Sequence, residues 1–159
     1  MQNKDIEKDF MDMIQLNERI IYKVASFYAD IDQSINDLYQ EIILSLWKAY
    51  PSFRGESKPS TWIYRIALNT CITFFRRSKR KPQYVELVVD IPDTPDNNDE
   101  IVELYKLINQ LGKIERALVL LYLDEKSHKE IAEITGLTVT NISTKISRIK
   151  EKLKRMSNE

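Results

Sequence analysis

The C-terminal third of the 159-residue chain contains the segment KEIAEITGLTVTNI, residues 129–142. Its spacing is typical of a helix-turn-helix. Ala132 is small where two helices would cross, and Gly136, four residues later, can adopt the left-handed conformation that ends the first helix. Ile142 would pack the second helix back against the first, and Thr138 can cap that second helix. The segment therefore predicts two short helices joined by a tight turn.

The second helix of this pair has an apolar side and a cationic, polar side. Isoleucines at 142, 146 and 149 and a leucine at 153 recur at helical spacing. Residues 138–156 hold six Lys/Arg against one acid. Short polar groups come first and cations come later, as a helix in the major groove of DNA requires. The alternative is a helical corner with solvated cations. The candidate DNA-contacting residues are Thr140, Asn141, Ser143, Thr144, Lys145, Ser147 and Arg148.

The composition predicts an all-α protein. Only three glycines occur, and the apolar residues are mostly Leu and Ile at helical spacing, whereas sheets need more turn residues. The longest apolar run, residues 117–123, is too short to span a bilayer, and no signal peptide is recognisable at the N-terminus. A single cysteine, Cys71, excludes an internal disulfide. These features favour a cytoplasmic protein without membrane insertion.

An acidic, proline-containing strip divides the chain. Residues 83–100 hold six Asp/Glu and no Lys/Arg, while residues 1–82 and 101–159 each carry a net charge of +3. This composition is that of a linker. The sequence thus predicts two small helical domains, residues 1–81 and 101–159, joined by a flexible acidic linker over 82–100.

The first half contains a basic, aromatic run. Between Glu56 and Glu86 there is no acidic residue, while seven Lys/Arg accumulate. A helix is expected from Ser60 or Thr61 to about Lys79, with a break at residues 69–70. One of its faces would combine an aromatic ring, an amide and cations, a mixture that suits unpaired DNA bases and phosphates. Equally, the aromatic ring could be core and the final cations a solvated helix end. The candidates are Trp62, Arg65, Asn69, Thr73, Arg76 and Arg77.

The preceding helix, expected from Asp37 to Tyr50 behind an Asn36 cap, is apolar on more than one face. A single row of apolar residues would be enough to pack this helix against a core. The additional apolar residues therefore indicate either a protein-binding surface or a helix covered on both sides in a small bundle. On this pattern Leu38 belongs to the row that would be buried, and the candidate protein-binding residues are Asp37, Gln40, Glu41, Leu44 and Trp47.

Three segments in this order resemble a known family. DLYQE at 37–41, FRGES at 53–57 and STWIYRIALN at 60–69 resemble region two of the extracytoplasmic-function sigma factors of the sigma-70 family. Residues 111–153 resemble region four of the same family. The resemblance implies a sigma factor that binds bacterial core RNA polymerase and directs promoter recognition, strand opening and transcription initiation.

The resemblance also implies roles for individual positions. The helix that holds Asp37, Leu38, Gln40 and Glu41 would dock on the clamp helices of the polymerase β′ subunit. Residues 62–77 would melt and read the minus-ten element, and residues 143–148 would face the minus-thirty-five element. The implied partners are the β′ and β subunits, promoter DNA and an anti-sigma factor. No cofactor or metal is implied.

The length of the linker fits a reader of two separate DNA elements. Fully extended, residues 83–100 reach about 60 Å at ~3.3 Å per residue. This distance matches roughly 17–18 base pairs at ~3.4 Å each. One chain could therefore hold two separated promoter elements at once.

Two other functions remain open from the residues alone. A free-standing helix-turn-helix regulator would bind duplex DNA unaided, and a protein-binding adaptor would tolerate loss of Lys145 and Arg148. An enzyme is not expected, because the sequence has no paired carboxylates on one face, no nucleophile–base arrangement, no phosphate loop and no metal-ligand spacing.

Overall fold

The computed structural model describes residues 2–29, 33–78 and 99–158. Within these ranges all regular secondary structure is helical, and the chain forms two compact units, Met1–Arg80 and Lys81–Glu159. The predicted all-α fold with two helical domains is confirmed. Most of the predicted linker, residues 82–98, lies outside the described residues.

Unit 1 is built from four helices and a short 3-10 turn: α1 (Gln2–Leu16), α2 (Glu18–Tyr28), α3 (Ile35–Ala49), the turn Tyr50–Ser52, and α4 (Pro59–Ser78). Helices α2, α3 and α4 pack against one another. The core between them is apolar. On α3 it is formed by Leu38, Ile42 and Leu46, which recur at intervals of four residues and are at most 2% exposed. Cys71 belongs to the same core, and burial raises the pKa of its thiol to about 12, so it remains an inert thiol at neutral pH.

Two local predictions in unit 1 were wrong. Ser34 rather than Asn36 caps α3, since its side-chain oxygen accepts a hydrogen bond from the backbone N–H of Asp37 at 3.1 Å. The break expected at residues 69–70 is also absent, and α4 is continuous. The hydroxyl of Thr70 donates to the Ile66 carbonyl at 2.7 Å, so this side chain is satisfied within the helix instead of ending it.

Unit 2 contains α5 (Asp99–Asn109), α6 (Lys113–Leu123), α7 (His128–Thr135) and α8 (Val139–Ser157). The most buried helix is α6, whose residues 116–121 are all enclosed. One of them is charged: the Arg116 guanidinium donates to the carbonyl of Asn109, the last residue of α5. This contact ties α5 to α6 and satisfies a carbonyl that the helix end leaves without an intrahelical partner.

The predicted helix-turn-helix is confirmed in α7 and α8. Ser127 and Glu130 form a reciprocal capping box at the start of α7. Gly136 ends that helix with a φ of 79°, the left-handed conformation that glycine adopts without a steric penalty. Thr138 caps α8, because its hydroxyl oxygen accepts from the Asn141 N–H at 3.1 Å. Ile142 is fully buried, as the spacing predicted.

The turn between α6 and α7 holds a strained residue. Glu125 has a φ of 59°, in the left-handed region that costs a residue with a Cβ roughly 1–2 kcal/mol. We therefore expect Glu125→Gly to raise the free energy of unfolding by about 0.5–1 kcal/mol, after allowance for the extra freedom of glycine in the unfolded chain. Urea denaturation would measure this change in the free energy of unfolding. The matched change Glu133→Gly, within α7, should instead lower stability by about 1 kcal/mol. A loss of stability at both sites would contradict the strain argument.

No helix in the described part of the chain is long and apolar enough to cross a membrane.

Candidate nucleic-acid and protein interfaces

The candidate DNA-contacting residues of α8 lie together on its outer side. The isoleucines at 142, 146 and 149 are buried against the rest of unit 2. The opposite side exposes six of the seven predicted residues, and the seventh, Lys145, is half-buried. Thr144 donates its hydroxyl hydrogen to the Thr140 carbonyl at 3.1 Å, which fixes its rotamer and leaves its oxygen lone pairs outward. The helix therefore offers a cationic, hydrogen-bonding face of the size and shape that enters a DNA major groove.

Two cations near the end of α8 are engaged inside unit 2. The Lys150 ammonium lies 4.3 Å from the centre of the Tyr122 ring. The Lys152 ammonium lies 3.4 Å from the Glu115 carboxylate, which also accepts a hydrogen bond from the Gly112 N–H at 3.2 Å. These contacts join α8 to α6.

The α4 candidates divide into an exposed group and a buried one. Arg65, Asn69 and Thr73 are exposed and follow one another at intervals of four, so they share one side of the helix. Thr73 donates to the Asn69 carbonyl at 2.8 Å. The side chains of Arg76 and Arg77 lie outside the described residues. Three of the predicted contacts thus form one continuous polar strip.

Trp62 lies in the core of unit 1. It is only 8% exposed, and its ring centre lies 4.7 Å from that of Phe53 and 6.3 Å from that of Tyr50. This is the buried alternative that the sequence had left open. A stacking platform needs an open ring face, so in this conformation Trp62 instead anchors the first turn of α4 to Phe53 and Tyr50.

The α3 candidates form an exposed apolar patch with a polar edge. Leu44 and Trp47 are 47% and 40% exposed, while Asp37 and Gln40 are exposed and Glu41 is half-buried. Leu38 is an exception, because it is 2% exposed and therefore has no surface for a direct partner contact. The patch continues onto α1, and we call it the α3 patch; it is lined by Glu7, Phe10, Met11, Ile43, Leu44 and Trp47.

An aromatic cluster that the sequence reasoning missed lies behind this patch. Phe10 of α1 packs its ring 4.9 Å from that of Trp47 and 5.2 Å from that of Tyr50. Tyr50 in turn neighbours the Phe53–Trp62 pair. The cluster joins α1, α3 and the start of α4, so it holds the α3 patch in a fixed position relative to the polar strip of α4. Trp47, Tyr50 and Phe53 recur at intervals of three residues, which is a local signal, but Phe10 lies 37 residues before Trp47 and no local pattern connects it to them.

A second apolar surface, also missed, lies on unit 2. A groove of about 110 Å³ between α5, α6 and α8 is lined by apolar side chains and the stem of one lysine. Tyr122 and Leu123 at its edge are exposed. The sequence does contain a signal for it: residues 117–123 are apolar without interruption, and a helix in a thin bundle can bury only part of such a run. Exposed apolar surface of this kind is typical of a protein-binding site.

The described residues contain no group of three or more His, Cys, Asp or Glu side chains that could hold a metal ion.

Comparisons with known proteins agree with this division into two units. The family model Sigma-70 region 2 matches residues 13–81, and the model Sigma-70, region 4 matches residues 101–153. The RNA polymerase sigma factor YlaC of Bacillus subtilis (strain 168) is 30% identical over 136 residues, which cover 77% of this chain and 77% of that protein. The ECF RNA polymerase sigma factor SigG of Mycobacterium tuberculosis (strain ATCC 25618 / H37Rv) is 50% identical over 46 residues, 29% of this chain but only 12% of SigG.

The fold is also that of a solved sigma factor. The sigma factor RpoE of Bartonella quintana, crystallised in complex with the anti-sigma factor NepR, superposes with a TM-score of 0.77 at 20% identity, covering 95% of this chain and 98% of that one. Since two region models and a relative matched over most of its length all agree, the chain belongs to the sigma-70 family, and its similarity to ECF RNA polymerase sigma factors, SigG among them, assigns it to the extracytoplasmic-function group of that family.

Proposed function

We propose that the chain binds core RNA polymerase and directs it to promoters, where it takes part in strand opening and transcription initiation without catalysing a reaction itself. The observation that carries the proposal is the face of α8, where polar and cationic side chains stand outward over a row of buried isoleucines. In this proposal residues 1–81 form the polymerase-binding and minus-ten module, 82–100 the linker, and 101–159 the minus-thirty-five module. Because core polymerase is cytoplasmic, the chain acts there.

The α3 patch is the proposed polymerase-docking surface. Leu44 and Trp47 supply exposed apolar area, and Asp37, Gln40 and Glu41 supply a polar edge. An apolar centre with a polar rim is the usual construction of a specific protein interface. The β′ subunit is the expected partner. Leu38 supports the patch from the core and makes no contact of its own.

The polar strip of α4 is the proposed reader of the minus-ten element. Arg65 offers charge for phosphates, and Asn69 and Thr73 offer hydrogen bonds to base edges. Arg76 and Arg77 follow one turn later in α4 and are proposed to add charge for phosphates. Trp62 keeps the strip in place through its contacts with Phe53 and Tyr50.

Residues 140–148 of α8 are the proposed reader of the minus-thirty-five element. Thr140, Asn141, Ser143 and Thr144 lie in the first two turns, where a recognition helix approaches base edges most closely. Lys145, Ser147 and Arg148 follow on the next turn. Arg148 is the strongest candidate for a bidentate base contact because its guanidinium has a fixed fork of donors.

The groove of unit 2 is a proposed second protein contact. Its apolar lining and the exposed Tyr122 and Leu123 fit an apolar segment of a partner. The polymerase β subunit is the proposed occupant in the transcribing complex. An anti-sigma factor is the proposed regulatory partner, in line with the complex in which RpoE was crystallised.

Reconstituted transcription tests the function. Purified chain is added to bacterial core polymerase, and run-off transcription across the source genome identifies promoters whose transcripts depend on it. Promoter-specific initiation is the expected result. Binding of duplex DNA by the chain alone, with no effect on core polymerase, would favour a free-standing regulator, and binding of polymerase without any promoter preference would favour an adaptor.

Asn69→Ala is expected to lower initiation at a cognate promoter about tenfold, since one base contact is worth ~1–3 kcal/mol. Asn69 is exposed, so the stability of the chain and its affinity for core polymerase should not change. The direct measurement is binding of the assembled holoenzyme to a single-stranded minus-ten oligonucleotide. Gln15→Ala, which removes an exposed amide from α1 instead, is the matched control and should bind like the parent chain. Equal binding by both variants would contradict a reading role for Asn69.

A further inference from the structure

The first residue of α8 is an exposed valine. Val139 is 47% exposed, whereas the three isoleucines of the helix, Ile142, Ile146 and Ile149, are at most 6% exposed. The helix does not need valine at this place for capping, because Thr138 fills that role through its contact with the Asn141 N–H. Valine is also a weaker helix former than most residues. Local folding therefore does not explain an apolar side chain here.

Val139 extends the row of candidate base readers. Ser143 and Ser147 follow it at intervals of four residues, and all three are exposed. Residues four apart lie side by side on a helix surface. The two methyl groups of Val139 therefore occupy the N-terminal end of the same strip whose next positions carry hydroxyl groups, and the first turn of a recognition helix is the part that approaches base edges.

The major groove offers one apolar group among its hydrogen-bonding edges, the C5-methyl of thymine. A hydroxyl or an amide gains nothing from that methyl group, while an aliphatic side chain excludes water from it. We propose that Val139 is a specificity-determining residue that contacts the C5-methyl group of a thymine in the promoter element read by α8. This inference rests on the function proposed above and adds a residue to its recognition surface.

The test removes the C5-methyl group of thymine and the two methyl groups of Val139 in turn. Holoenzyme assembled from the full chain and core polymerase is measured on promoter duplexes in which each thymine of the minus-thirty-five element is replaced singly by deoxyuridine. One replacement is expected to weaken binding by the parent chain about three- to fivefold, the size expected for one buried methyl group. Val139→Ala should bind the thymine duplex as weakly as the parent binds the uracil duplex, and should show no further loss on uracil.

Controls separate this inference from general effects. Ile114→Ala shortens another exposed aliphatic side chain at the start of a helix in unit 2 and should retain the full response to uracil. Val139→Ala should melt within about 2 °C of the parent chain, since the residue is exposed.

Two kinds of failure can be told apart. If the holoenzyme initiates specifically but every uracil duplex binds normally, if Val139→Ala responds to uracil as the parent does, or if the element contains no thymine, the Val139 contact is wrong and the proposed function stands. If the chain gives core polymerase no promoter specificity, both the function and the contact are wrong.

Discussion

Leu44→Glu is expected to lower the affinity of the chain for core RNA polymerase at least 30-fold. Leu44 is 47% exposed at the centre of the α3 patch, beside Trp47 and Met11. If this patch is the docking surface, the new carboxylate would lose its hydration on binding, and truncation of a central interface residue alone costs about 2 kcal/mol or more. Because Leu44 faces solvent in the free chain, the substitution should leave the fold intact.

The measurement is equilibrium binding of the labelled chain to core polymerase, with circular dichroism to verify the fold. Leu16→Glu is the matched control, because Leu16 lies on the same unit, is 86% exposed and does not line the patch. It should bind like the parent chain. Similar losses for the two variants would indicate a nonspecific effect of charge, and normal binding by Leu44→Glu would exclude the α3 patch as the docking surface.

The charge-removing substitution Asp37→Asn can separate the polar edge of the patch from its apolar centre. Asp37 is exposed, so the contribution of its charge to binding should fall with added salt, whereas that of Leu44 and Trp47 should not. An interface of this kind uses its charged rim for the rate of encounter and its apolar centre for residence time. The central aromatic anchor is Trp47, which Phe10 already holds in place.

The local features of unit 2 could be predicted from sequence because they depend on neighbouring residues. Gly136 ends α7 and Thr138 caps α8 through contacts that span three or four positions. The polar face of α8 followed from the same periodicity, since its isoleucines leave only one side outward. A pattern within a single helix is sufficient to predict these features.

Burial in unit 1 could not be predicted in the same way. Helices α3 and α4 are apolar on more than one side, so periodicity alone could not say that Trp62 faces the core while Leu44 and Trp47 face outward. Which side of each helix is buried depends on α1, which supplies Phe10 as a neighbour of Trp47, and on the segment after α3, which supplies Phe53 as a neighbour of Trp62. The ion pair between Lys152 and Glu115 could not be predicted either, because the two residues lie 37 positions apart in the chain.

The start of α3 shows that the local sequence can offer two equivalent N-cap residues. Ser34 and Asn36 are both good N-cap residues, and the sequence favoured the second. The observed cap lies four residues before the buried Leu38, whose N–H donates to the Ser34 carbonyl at 3.1 Å. The earlier start gives α3 another half turn before Leu38.

Lys145→Ala combined with Arg148→Ala is expected to reduce initiation at a cognate promoter about 100-fold. A bidentate arginine contact to a base is worth ~1–3 kcal/mol, and a phosphate contact adds affinity that falls with salt. Both side chains leave α8 on its outer side, Arg148 exposed and Lys145 half-buried. Alanine is the strongest helix former, so α8 should not be weakened.

The decisive measurement compares two promoters that differ only in the minus-thirty-five element, one cognate and one scrambled. The parent chain should prefer the cognate promoter strongly, and the double variant should lose most of that preference because its remaining contacts carry little sequence information. Lys154→Ala combined with Arg155→Ala removes the same charge from the same helix, six or more residues beyond the reading face. That control should weaken both promoters alike, by less than about fivefold through loss of phosphate attraction. If the Lys145/Arg148 variant instead kept its preference and only its overall affinity fell, α8 would be a nonspecific anchor, and sequence reading would have to reside in α4.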